Sequence, residues 1–210
     1  MKKTRTHHAQ QHNKTTSLVL LGLLCAIMLI LSCTPLGYLN VGMLAITFNI
    51  IPVAIAAIVL GPQGGGIIGG IFGITSFLQC IGIGGSSALG VICFEINPVF
   101  AFIQRFVPRV LVGVLLGFIY KFLSKKIKHQ SISCAIIGFL AAFLNTVFFM
   151  SFLVLLYGNT PELQGMIAGQ NIFLWICTFV GINAVFEMLA STIITTPIGV
   201  ALTKLKSRNA

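Results

Sequence analysis

Three charged side chains sit where charge is costly. Arg105 and Arg109 lie one helical turn apart inside an apolar run, and Glu187 lies midway along another. An ionised group at the centre of a bilayer costs about 2.5 to 3.5 kcal/mol on insertion scales, so it is kept where a partner, water or a ligand compensates it. Residues four apart project from one helix face. At 1.5 Å per residue the two arginines lie roughly 10 and 16 Å below the outer end of their run at Pro98. Pro108 between them removes the backbone bond to residue 104. The chemistry this suits is anion recognition, because a guanidinium presents a planar fork of donors to a carboxylate or phosphate. Arg109 and Glu187 are expected to form a buried, structural ion pair. Arg105, nearer the outside, is then the cation left to receive an anionic group of a ligand. The alternative role for Glu187 is as the titrating group of a carrier driven by an ion gradient.

Further polar groups fall at similar depths: Asn49, Gln79, Gln104, Asn145 and Asn183, with Tyr38, Asn40 and Asn97 at the outer ends. Any one of them alone is an ordinary interhelical hydrogen bond. Together with Phe100, Phe148, Phe149 and Trp175 they would line a mostly apolar pocket with a few oriented donors, which suits a small amphipathic solute. The expected ligand contacts are therefore Arg105, Gln79, Asn97, Asn145, Asn183 and Trp175. Trp175 fits an interfacial aromatic belt equally well.

The elements that must position these groups are membrane helices. With 57% hydrophobic and 8% charged residues and a mean hydropathy of +1.02, the chain is expected to be an integral membrane protein. Its 210 residues accommodate an all-α bundle of six transmembrane helices, at about 18–33, 44–60, 64–81, 98–123, 132–157 and 172–202. Lys and Arg number four in the N-terminal tail, four over 121–128 and three over 204–208, with none in 34–43, 82–97 or 158–171. This places both termini inside and Glu95 and Glu162 outside. The resulting division is a cytoplasmic tail over 1–17, disordered or lying on the membrane surface, a single transmembrane domain over 18–204 and a cytoplasmic tail over 205–210. The net charge of +10 follows membrane topology, so nucleic-acid binding is not expected.

Several sharper chemistries lack their residues. His7, His8 and His12 have no Cys or carboxylate beside them, so no metal site is expected. The turn Gly61-Pro-Gln-Gly-Gly-Gly66 lacks the Gly-Lys-Ser/Thr ending of a phosphate loop. No Cys-His arrangement at membrane depth offers a nucleophile with its base, so neither an enzyme nor a cofactor is expected. The six cysteines show no CxxC spacing and mostly sit in apolar runs, the usual setting of small buried residues; the one alternative is a disulfide between Cys80 and Cys93, which flank one loop. Small residues recur every four positions at Gly22 and Ala26, at Gly65, Gly69 and Gly73, and at Gly113 and Gly117. Such stripes let helix backbones approach closely in lipid. The last two suit packing within the bundle, whereas the first, on a Leu-rich helix, fits internal packing and docking on another protein equally.

These residues resemble a known family, the membrane-embedded S-components that bind substrate for energy-coupling factor (ECF) vitamin transporters. The resemblance rests on six helices in about 200 residues, on the first-helix stripe, with Gly22 standing where the family has Ala, and on the stretch from Asn49 through Pro62 to Gly73. It covers nearly the whole chain after the tail. Within the family the chain looks most like the pantothenate type, through Arg105-Phe-Val-Pro-Arg109, Asn145-Thr and Asn183-Ala-Val-Phe-Glu187. S-components for hydroxymethylpyrimidine, pyridoxine and riboflavin share the second-helix pattern. The resemblance implies a vitamin binder in a prokaryotic plasma membrane, with no ATPase of its own. Such a protein docks through its first helices, with Gly22 and Ala26 at the interface, on an ECF module of a membrane coupling subunit plus two cytoplasmic ATPases.

Overall fold

The computed structural model describes residues 2–34, 37–41, 44–85 and 87–208, and side chains for 15–34, 37, 47–85 and 87–206. Seven helices and one small hairpin follow one another: α1 (Lys2–Cys33), β1 (Tyr38–Val41), β2 (Leu44–Thr47), α2 (Ile50–Leu78), α3 (Ala88–Ile96), α4 (Pro98–Lys126), α5 (Gln130–Tyr157), α6 (Pro161–Ile167) and α7 (Ile172–Arg208). Among the described residues, five stretches are long and apolar enough to cross a membrane: Thr15–Cys33, Ile50–Ile81, Pro98–Lys126, Gln130–Tyr157 and Ile172–Lys206.

The expected spans at 44–60 and 64–81 fall in one helical stretch broken at Gly61, whose φ of 75° and ψ of −162° are not helical. Glycine reaches that conformation without a Cβ penalty, and Pro62 then suits the first turn of the next arm. The two arms fold back on each other. A Cβ built on Gly65 would lie 3.1 Å from that of Ala57, whereas residues eight apart in an unbroken helix are separated by about 12 Å. Nζ of Lys206 donates to the Val59 carbonyl at 2.6 Å, satisfying an acceptor that the break leaves open.

Glycines then set the helix order. The second arm of α2 runs antiparallel to α4, with Gly65 on Gly113, Gly69 on the Arg109 backbone, Gly73 on Phe106 and Gly117 on Pro62. These are the two stripes expected to pack inside the bundle, and they pack on each other. Gly138 of α5 likewise lies on Ser191 and Thr192 of α7, and Gly199 on Cys134. α1 contributes Leu24 and Met28 to the core, while Leu18, Val19, Leu23 and Ile30 face outward. Outward-facing Leu155, Phe173 and Ile182 on α5 and α7 complete the apolar exterior that a bilayer requires.

Several details shift or extend the expected elements. The fold is all-helical apart from one short hairpin, in which Leu44–Thr47 pairs antiparallel with Tyr38–Val41, so the helix expected from 44 begins only at Ile50. A short apolar run does not by itself distinguish strand from helix. Residues 2–17 continue α1 instead of forming an irregular tail, since nothing between Lys2 and Ser17 breaks a helix. The outer connections carry α3 and α6, started by the side chains of Ser87 and Thr160, which accept from Gly90 N and Leu163 N. All six cysteines are free thiols, so Cys80 and Cys93 are not paired.

Candidate functional site

Two apolar clusters divide the bundle along its long axis. One holds Leu24, Met28, Ile50 to Val59, Ile68, Phe72, Val112, Leu116, Ile137 and Ala142. The other holds Leu89, Cys93, Ala101, Met150, Leu153, Tyr157, Leu163 and Trp175. Between them, α2, α4, α5 and α7 each place buried or half-buried polar side chains. α2 places Thr75 and Ser76 there, α4 places Gln104, Arg105 and Arg109, α5 places Asn145, and α7 places Asn183 and Glu187. Thr47 and Asn49, at the start of α2, border the same layer. The interior is thus a sandwich: apolar, polar, apolar.

Arg105 and Arg109 are buried in this layer, 5% and 4% exposed. Arg109 Nη1 donates to the Arg105 carbonyl at 2.8 Å, and its guanidinium lies over the rings of Phe72 (4.6 Å) and Phe149 (5.4 Å). Arg105 lies over Phe149 at 5.0 Å, and its Nη2 donates to the hydroxyl of Ser87 at 3.3 Å. Its Nε has no acceptor. Each arginine is therefore held by aromatic faces, which stabilise a cation without neutralising it.

Glu187 is buried and accepts from the backbone N–H of Thr47 at 2.7 Å, so α7 holds the end of the hairpin. Arg109 lies within its electrostatic reach. Missing from the sequence reading are Ser87, Thr47 and Phe72 as partners of these charges. No local pattern marks them, since each reaches its partner across many residues of chain.

The other expected contacts separate into two groups. Asn97 caps α4, its side-chain oxygen accepting from Val99 N and Phe100 N. Gln79 donates to the Ser32 carbonyl at 3.3 Å, beside a Ser32 to Thr75 hydroxyl bond, and so ties α1 to α2. Trp175 stacks on Phe179 at 4.8 Å inside the outer apolar cluster. Asn183 sits half-buried on α7 one turn from Glu187. Asn145 is buried with its carbonyl oxygen unsatisfied. Gln104 and Asn49 are fully buried, and both polar atoms of each lack a partner. Tyr38 and Asn40 fall outside the described side chains. Gly22 and Ala26 are exposed, and a Cβ on Gly22 would meet nothing within 4 Å. Among the described residues, their stripe faces outward.

Buried amides without partners are expensive, at roughly 1 to 3 kcal/mol each, and native interiors contain few of them. This layer holds two such amides, the unpaired carbonyl oxygen of Asn145 and an Arg105 Nε without an acceptor, donors and acceptors of the kind a polar solute satisfies. An apolar exterior around such an interior is that of a multi-pass membrane protein.

Comparison with known proteins agrees. Residues 16–199 match the model of the family described as ECF transporter, substrate-specific component. The chain is 32% identical over 204 residues to the "Pantothenate transporter PanT" of Leuconostoc mesenteroides subsp. mesenteroides, covering 94% of this chain and 97% of that one. It is 25% identical over 207 residues to the "Pantothenic acid transporter PanT" of Lactococcus lactis subsp. cremoris, covering 94% and 98%. The chain belongs to the ECF-transporter substrate-specific components. Its role is transport, with a vitamin as substrate and an ECF module as partner.

Proposed function

We propose that this chain binds pantothenate from outside the cell and delivers it through an ECF module of a membrane coupling subunit and two cytoplasmic ATPases. The observation that carries the substrate is Arg105, a buried cation whose hydrogen-bond partner is a neutral hydroxyl and whose Nε is unsatisfied. The whole sequence contains three acidic residues, and Glu187 already accepts from Thr47. A carboxylate on the ligand is the missing counter-charge. Pantothenate also carries an amide and two hydroxyls, which the amide groups of this layer complement. The names of both relatives support the same substrate. Isothermal calorimetry on purified protein is the direct test. Binding of pantothenate, with uncharged vitamins ignored, supports the reading, and the reverse overturns it.

The coupling interface we assign to the exposed stripe of Gly22 and Ala26. In lipid, apolar side chains gain little by leaving hydrocarbon, so small residues on an outer face favour close backbone contact with another helix. The topology we propose is six crossings with both termini inside, the arms of α2 forming two of them. Supporting it, the fold-back at Gly61, Lys206 and the Gln130 to Thr203 contact share one end of the bundle. The cations of the 121–128 segment lie at that end too.

A further inference from the structure

We propose that Gln104 is the specificity residue of the site, reading the neutral amide of the ligand beside the carboxylate held by Arg105. The inference rests on the pantothenate reading and goes a step beyond it. Gln104 is 0% exposed, and neither its Nε2 nor its Oε1 has a partner. It lies at the inner border of the outer apolar cluster, one turn from Ala101, where an amide side chain does nothing for packing. A leucine of similar size would fill the same space without the desolvation cost. Keeping glutamine there is a stability sacrifice of the kind that binding sites make.

Position supports the assignment. Gln104 and Arg105 are consecutive on α4, and both belong to its buried face. In pantothenate only two methylenes separate the carboxylate from the amide nitrogen, so a ligand anchored on Arg105 presents its amide to a neighbouring residue. A carboxamide offers the two functions a secondary amide needs: Oε1 accepts from the amide N–H, and Nε2 donates to its carbonyl. A buried site made to hydrogen-bond a ligand group discriminates strongly against analogues lacking it, because its own polar atoms are then stranded.

The test is a cycle between protein and ligand. Calorimetry compares the parent and Gln104→Leu, each with pantothenate and with the ester analogue in which oxygen replaces the amide N–H; thermal unfolding is followed without ligand. Gln104→Leu should weaken pantothenate binding about ten- to a hundredfold. It should bind the two ligands with affinities within about threefold of each other, while the parent prefers the amide at least about tenfold. The ligand-free variant should melt at or above the parent temperature. Equal affinity of parent and variant for pantothenate overturns the inference, as does loss of both ligands alike together with a lower melting temperature. A parent protein that ignores pantothenate overturns the functional reading, and this inference falls with it.

Discussion

At the scale of single residues, the two buried arginines have different duties. Arg105 meets one neutral hydroxyl and one ring, so its removal should cost little of the fold and, under the proposed function, a ligand contact. Losing a charge-assisted contact costs about 1.5 to 3 kcal/mol, so Arg105→Gln should weaken pantothenate binding roughly ten- to two-hundredfold by calorimetry. Arg109 is tied to the Arg105 carbonyl, lies between two rings and interacts electrostatically with Glu187. Arg109→Gln should therefore lower stability, by about 2 kcal/mol or more, measured as thermal unfolding of the ligand-free protein. Adding Glu187→Gln should recover part of that loss, because the carboxylate that Arg109 stabilises is then gone. A double variant no more stable than Arg109→Gln alone would show that the two charges act independently.

At the scale of elements, one sequence pattern serves two purposes. The glycines of α2 and α4 face each other so closely that a Cβ on Gly73 would stand 2.8 Å from the Phe106 Cα, and one on Gly65 would strike the Gly113 carbonyl. Gly65→Ala should consequently cost roughly 1 to 3 kcal/mol, since two backbones must separate to admit it. The same spacing at Gly22 and Ala26 meets open space. Gly22→Leu with Ala26→Leu should leave folding and pantothenate affinity of the isolated protein unchanged while abolishing uptake in cells. Loss of affinity in that variant would assign the stripe to internal packing after all.

At the scale of the whole molecule, the charge distribution orients the bundle. Eleven of the thirteen cations fall in three clusters, and the fold brings the ends of α4 and α7 to the side where α2 turns back at Gly61. That side should be cytoplasmic. A cysteine placed at Ser124, in a background without the exposed Cys33 and Cys177, should resist an impermeant thiol reagent added to intact cells and react once the membrane is opened. Labelling from outside would invert the topology and put the polar layer's entrance on the wrong face for an importer.

The class of protein, the long helices and the polar depth of the site were legible in the chain itself, because apolar runs, cation clusters and buried charges are local features set by the bilayer as solvent. The helix-packing duty of Gly65, Gly69 and Gly113 was legible for the same reason. Local patterns did not reveal the hairpin before α2, whose pairing of Tyr38 with Thr47 depends on two short segments meeting, nor the helical character of 2–17. Least legible was which polar side chains remain available. Asn97, Gln79 and Trp175 looked like Gln104 and Asn49 in sequence, yet the fold engages the first three in a cap, an interhelical bond and a ring stack, and leaves the last two unsatisfied. A hydrogen bond belongs to a pair of groups, and tertiary structure decides which of these side chains meets a partner.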